Sequence, residues 1–340
     1  MAEKMESICS EPRSRTQKPD PSCAVVVASF RPGPLIYLCL RSLLAQEGVP
    51  SPEIIVVDSS GDGTAAQLRA SFPTITVIEL LHQTPQAAAR NLGVACSRAQ
   101  FIAFTDQDCI VPPDWLLQFI AWHNRDNYDA VGGAIGNGTP ESAVGTASYL
   151  IEFNEFLPTG APGFAEMIPH CNICFRREVF TTVGPFFEVP SGAEDLLYNF
   201  FICQNGGRLL CDPNIVVTHI NRTDFSDFLQ HQWVLGFGSA VARRSATLKG
   251  QPFVRYPFLS YMLPFVRLVR TFSRLLRHNR PVLRQYLQLL PLLIPGYCRW
   301  TSGFLAGVRS DASEPGFRPA LSSAHGSAGI ETVQSETHVS

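Results

Sequence analysis

Asp106-Gln107-Asp108 places two carboxylates one residue apart, directly after the apolar run Phe101-Ile102-Ala103-Phe104. Carboxylates this close repel each other unless a cation lies between them. Their hard oxygen donors suit Mg²⁺ or Mn²⁺, ions that also bridge diphosphates. An Asp-x-Asp pair alone is a weak signal, and a solvated acidic turn has the same composition. Its placement at the end of a buried strand gives it weight, because ligands of open α/β sheets bind outside the carboxyl ends of the strands.

The elements that must position this pair can be read along the chain. Cys23-Ala24-Val25-Val26-Val27-Ala28 is an apolar run and predicts a buried strand. Helical spacing of Leu35, Leu38, Leu40, Leu43 and Leu44 predicts a helix over Pro34 to Gln46. Ile54 to Asp58 and Ile75 to Leu80 predict two more strands, with turn residues at 59–63 and a helix from about Thr64. A helix over Pro85 to Ser97 leads into a fourth strand at 101–104. Apolar strands alternating with helices predict a parallel sheet covered on both faces. Ser29 and Arg31, Asp58, and Asp106 then fall at the carboxyl ends of three strands. Farther on, Asn172 to Phe175 and Asn214 to Thr218 read as strands around a helix near 194–205, predicting a mixed sheet that shares one core with the first half. An apolar strand followed by Asp-x-Asp also opens phosphatases of the haloacid dehalogenase type, where the first Asp is a nucleophile. In those enzymes the motif sits on the first strand, whereas about 80 residues of α/β pattern precede it here. Ile110 also stands where a Thr or Val is expected.

Six blocks in order resemble the family 2 glycosyltransferases of GT-A fold, over roughly residues 23–222. They are Val25 to Arg31, Ile54 to Thr64, Ala89-Arg90-Asn91-Leu92-Gly93, Phe101 to Asp108, Asn172 to Phe180 with Val183-Gly184, and Ser191-Gly192-Ala193-Glu194-Asp195. The resemblance implies a Rossmann-like mixed α/β sheet with helices on both faces. It implies a nucleotide-sugar donor (UDP-, GDP- or dTDP-linked) and a divalent Mg²⁺ or Mn²⁺ cofactor. Ser29, Phe30 and Asp58 are then expected at the nucleotide base, Arg90 at the diphosphate, and Asp106 at the ribose or the metal. Asp106, Asp108 and His219 are the expected metal ligands. Asp195 is the expected general base of an inverting transfer, with Glu194 beside it. Adjacent residues of a helix diverge by about 100°, so only one of the two acids easily faces an acceptor. Two positions depart from the family pattern: Ser59 stands where a further acid is usual, and Arg31 where Asn is usual. His231-Gln232-Trp233 replaces the Gln-x-x-Arg-Trp element of processive synthases, so one or a few transfers are expected. A sugar nucleotidyltransferase of related fold is the main rival, but the segment Ser29-Phe30-Arg31-Pro32 lacks its Gly-rich signature. A catalytically inactive nucleotide-sugar-binding protein is disfavoured by the full set of acids and His219.

The chain has 340 residues, 45% of them hydrophobic, enough for one large domain or two modest ones. Charge is segregated. No Asp or Glu occurs from Phe228 to Ser310, a stretch that holds 12 of the 27 Lys and Arg. Arg255, Arg267, Arg270, Arg274, Arg277, Arg280 and Arg284 recur among apolar residues at spacings of three and four, which predicts a basic amphipathic helix suited to an anionic membrane surface. Tyr286 to Val308 is apolar but interrupted by Pro291, Pro295 and Arg299, and reads as an interfacial or re-entrant segment. No nucleic-acid-binding module is present. The resulting division is a disordered 1–22, a catalytic domain over 23–250 (donor half 23–110, acceptor half 111–250), membrane-associating helices over 251–308, and a flexible tail over 309–340. The ten scattered cysteines, Cys171 and Cys174 among them, read as reduced structural thiols. With no secretory signal visible, the expected location is the cytoplasmic membrane face, with an acceptor that is a glycan or lipid-linked hydroxyl.

Overall fold

A computed structural model describes residues 22–189 and 192–310. The expected disorder at 1–22 and 309–340 falls almost wholly outside them, as does Ser191. The strands are β1 (Cys23–Ser29), β2 (Glu53–Asp58), β3 (Thr76–Glu79), β4 (Phe101–Phe104), β5 (Cys109–Ile110), β6 (Ala130–Asn137), β7 (Gly163–Phe164), β8 (Ile173–Arg176) and β9 (Leu209–His219). They form one mixed sheet in the order β3-β2-β1-β4-β8-β6-β9-β5, with β7 paired to β9. β1 to β4 run parallel, and β8 joins β4 antiparallel.

The helices are α1 (Leu35–Leu44), α2 (Thr64–Ser71), α3 (Gln86–Ala95), α4 (Trp115–Arg125), α5 (Ala143–Phe153), α6 (Val179–Thr182), α7 (Glu194–Gln204), α8 (Phe225–Ser245), α9 (Gln251–Arg255), α10 (Leu263–His278), α11 (Arg280–Gln288) and α12 (Leu290–Arg309). Alternation along β1 sorts the core. Val25 and Val27 face one layer with α1 and α4, while Ala24 and Val26 face the other with α3 and α7. Gly93 lets α3 press onto β1, since a Cβ there would lie 2.4 Å from Val26 Cγ1. Asn172 locks the two halves of the sheet together. Its amide donates to Ala134 O and Ile215 O, each at 2.8 Å, and its Oδ1 accepts from Trp115 Nε1 at 2.8 Å. Each of these buried polar atoms would otherwise cost about 1–3 kcal/mol.

The C-terminal region differs from its sequence reading. α12, expected as an interfacial or re-entrant segment, docks along α8 through small residues. A Cβ on Gly303 would lie 2.0 Å from Trp233 O, and one on Gly236 would lie 1.9 Å from Trp300 O. Tyr297, Trp300 and Phe304 are buried there, each stabilising by roughly 1.5–3 kcal/mol. Leu275, Tyr286, Leu293 and Tyr297 belong to the main core. Among the described residues no helix is long and apolar enough to cross a membrane. The arginines do not share one exposed face either. Arg267 stacks on Trp300, with its guanidinium 4.1 Å from the ring centroid. Arg270 and Arg274 pair with Glu155 at 2.7 and 2.8 Å. Arg255, Arg270, Arg277, Arg280 and Arg284 remain exposed. Among the described residues eight cysteines are free thiols.

Candidate active site

A cavity of about 740 Å³ opens over the carboxyl ends of β1 and β4. One wall is built on α3. Gln86 and Arg90, one turn apart, both reach Asp106 Oδ1, at 3.0 and 2.8 Å. The other arm of the Arg90 guanidinium holds Glu194 Oε1 at 2.7 Å. Arg90 therefore ties the Asp-x-Asp turn to the start of α7. Burial opposes its charge, but Asp106 and Glu194 more than restore it. Its neighbour Asn91 makes a reciprocal pair with the Phe186 backbone, at 2.8 and 2.9 Å, and so fixes the segment leading to α7. The expectation that Arg90 meets a diphosphate thus encounters a guanidinium already committed to two carboxylates.

Gln107 spans to β1. Its Oε1 accepts from Phe30 N at 3.0 Å and its Nε2 donates to Phe30 O at 3.3 Å. Ser29 and Phe30 line the cavity with Ser59. Asp58 lies behind them, 1% exposed, with Oδ1 accepting from Ser29 at 2.9 Å and Ser60 at 2.7 Å.

Asp108 and His219 meet where β5 pairs with β9. Cys109 lies directly opposite His219, and Ile220 N donates to Asp108 O at 2.9 Å. His219 Nε2 is 3.6 Å from Asp108 Oδ1, and Nδ1 is 3.0 Å from Asn221 Oδ1. Burial alone would lower the His219 pKa, but Asp108, Cys109 and Glu152 reverse this and hold it at about 9. Burial, with Asp106 adding to it, raises Asp108. A donor set of one carboxylate, one imidazole and one thiol, with ligand atoms within 4.8 Å of one another, fits a divalent cation.

Glu194 and Asp195 open α7 and divide their work. Glu194 is taken by Arg90. Asp195 faces the cavity, and burial together with the charge of Glu194 raises its pKa to about 7. That value suits a proton acceptor near neutral pH.

The other wall carries residues that the motifs did not reveal. Glu152 of α5 pairs with His231 of α8 at 3.1 Å. Burial raises the Glu152 carboxyl, but His231, His219 and Arg222 outweigh it and bring it down to about 2. His170, kept neutral by burial beside Arg90, lines the floor. Arg222 lines the cavity and makes no hydrogen bond or ion pair among the described residues. Its position three residues after His219 is the one signal that could have identified it. Glu152, His170 and His231 come from separate elements, and no short-range spacing links them.

Residues 24–184 match the family described as Glycosyl transferase family 2. The chain is 33% identical over 175 residues to the succinoglycan biosynthesis protein ExoO of Rhizobium meliloti (strain 1021), covering 49% of this chain and 48% of that one. It is 25% identical over 223 residues to the glycosyltransferase AglE of Haloferax volcanii, covering 64% and 73%. The chain thus spans about half the length of the first relative. In fold it is similar to the mannosyltransferase PcManGT from Pyrobaculum calidifontis, solved with GDP-Man and Mn²⁺, at a TM-score of 0.54, 19% identity and coverage of 90% and 91%. Residues 24–184 thus form a domain similar to the family 2 glycosyltransferases, on a mixed sheet with the GT-A fold.

Proposed function

We propose that this chain performs a metal-dependent, inverting transfer of one sugar from a nucleotide-diphosphate sugar to a hydroxyl acceptor at a membrane surface. The observation that carries the reading is the Arg90 bridge, which presents Asp106 and the Glu194–Asp195 pair to one cavity. The acceptor oxygen attacks the anomeric carbon while Asp195 takes its proton. The bond from that carbon to the diphosphate breaks, and the nucleoside diphosphate leaves. Asp108 and His219, with Asp106 beside them, would hold Mg²⁺ or Mn²⁺, which supplies countercharge to the departing diphosphate. Arg222 faces the same diphosphate with a guanidinium that makes no direct ion pair in the cavity. Phe30 stacks on the base, and Asp58 acts through the hydroxyls of Ser29 and Ser60. Arg90 is a positioning residue.

The membrane reading rests on the exposed side chains of the C-terminal helices. Among the described residues, ten of the sixteen exposed large hydrophobic side chains lie between 256 and 294, including Phe258, Tyr261, Met262 and Phe265. They share a region without acidic residues and with exposed arginines, a combination suited to an anionic lipid surface. Leu235 links this region to the cavity, lining it while packing against the cluster that contains Leu263 at the start of α10. A lipid-linked acceptor at the cytoplasmic face fits that continuity.

Thermal unfolding with UDP-, GDP- and dTDP-sugars, each with Mn²⁺ or Mg²⁺, tests the donor site. A ligand at 100 times its Kd stabilises by about 2.7 kcal/mol, and Asp108→Ala should abolish the shift. If no nucleotide sugar raises Tm with either ion, the transferase reading fails. Sedimentation with phosphatidylglycerol vesicles tests the surface, and no association at low salt removes it.

A further inference from the structure

The metal pair Asp108 and His219 has a third neighbour of different chemistry. β5 is only two residues long, and its first residue, Cys109, pairs directly with His219 across the antiparallel ladder. Residues so paired send their side chains to the same face of the sheet. The Cys109 Sγ, an Asp108 carboxylate oxygen and a His219 ring nitrogen all lie within 4.8 Å of one another. Cys109 is fully buried and His219 is 5% exposed, so bulk water is largely excluded from the sulfur side of the cluster. A second thiol, Cys171, lines the cavity beside Cys109. Asn221 holds His219 Nδ1, leaving Nε2 turned toward the cluster.

Oxygen donors suit Mg²⁺ and Mn²⁺, whereas a thiolate suits softer ions. Zinc bonds of about 2.3 Å to sulfur and 2.0–2.1 Å to nitrogen need ligand atoms somewhat closer than the present spacing. Small side-chain rotations about fixed backbones can provide that. We propose that Asp108, Cys109 and His219 form a second binding mode at this site, in which a thiophilic divalent cation such as Zn²⁺ or Cd²⁺ is held through the Cys109 thiolate in competition with the Mg²⁺ or Mn²⁺ used in transfer. The inference rests on the reading of Asp108 and His219 as metal ligands. Binding replaces the Cys109 S–H bond with an S–metal bond and releases the proton to solvent, with no redox change. The thiolate-bound ion has the wrong coordination to serve a diphosphate, so the site acts as a point of inhibition by soft metals.

The test is titration of the full chain with Cd²⁺, following the ultraviolet charge-transfer absorption of a cadmium–thiolate bond. A Cys298→Ser background removes an exposed free thiol. One equivalent of Cd²⁺ should produce the band. Excess Mn²⁺ with a nucleoside diphosphate should displace it, and Cys109→Ser should abolish it. Asn221→Ala, which frees His219 Nδ1, should weaken Cd²⁺ binding about 10–100-fold. Absence of the band, its survival in a folded Cys109→Ser protein, or its indifference to Mn²⁺ and nucleotide each overturns the proposal. The competition arm uses no substitution at position 109 and stands if that variant misfolds. Mn²⁺-dependent nucleotide binding that is lost in Asp108→Ala, measured in parallel, separates failure of this inference from failure of the transferase reading.

Discussion

The two walls of the cavity are built on opposite plans. On the α3 wall, Asp106, Arg90, Glu194 and Gln86 hold one another with direct bonds of 2.7 to 3.0 Å, and Asn91 holds the Phe186 backbone. On the facing wall, Glu152 and His231 form one direct pair, while Arg222 lines the cavity and acts on Glu152 and Asp108 only through its charge. The first wall is set before substrate arrives, which is how electrostatic groups contribute most to a transition state. The second holds one cation more loosely, near Glu152 and Asp108 but without a direct bond to either, and in the proposed reading the substrate supplies its direct partner. Charge identity alone therefore does not tell which arginine binds ligand; the state of its partners does.

Substitutions on each wall should separate structural from substrate-dependent effects. The largest is Asp195→Asn, expected to lower kcat about 10²–10⁴-fold as a general base is removed while nucleotide binding stays intact. The wild-type rate should rise with pH through about 7, because Asp195 must be unprotonated to accept a proton. The residual rate of the variant should lack that limb in a pH–kcat profile. The same residue has a stability signature of the opposite sense. Its folded pKa is raised, so its contribution is most favourable at low pH and is lost as pH rises through about 7. Asp195→Asn should therefore gain Tm relative to wild type at pH 8 but not at pH 4.

Next is Arg90→Met. It leaves Glu194 and Asp106 without their cation, a loss of about 3–5 kcal/mol for a broken buried pair, visible as a lower urea midpoint before any ligand is added. Arg222→Met should leave that midpoint within about 0.5 kcal/mol and weaken nucleoside diphosphate binding by about 1.5–3 kcal/mol, measured by calorimetry. If the two arginine variants trade these effects, the contrast between the walls is wrong. The smallest effect on the fold is expected from Phe265→Ser, neutral in stability because the side chain is 62% exposed, yet weaker in binding to anionic vesicles.

The donor half of the fold was legible because β1, β2 and β4 carry short apolar runs between turn residues and β3 is mostly β-branched. β6 was not. Its Ala130-Val131-Gly132-Gly133 start breaks the pattern, and those glycines are there because Ile168, Asn172 and Ile215 crowd the strand. Only the second part of β9 was read, since Asp212-Pro213 interrupts it at the place where its register against β6 shifts. Asp106, Asp108 and Asp195 were found because they belong to local motifs. Glu152 and His231 become neighbours only through the packing of α5 and α8, which no spacing records. The C-terminal region misled for a related reason: apolar content reads the same whether it faces lipid or another helix. The informative residues were Gly296, Gly303 and Gly307, small positions where α12 meets α8 and its neighbours.

Gln107 grips the main chain of Phe30 at both its N–H and its carbonyl, never its ring. The side chain at position 30 is thereby uncoupled from the carboxylates on either side of Gln107. In the proposed reading, exchange of that ring for another shape would retune which base is accepted while the Asp-x-Asp turn stays in place, so this one position is free to change without endangering the chemistry beside it.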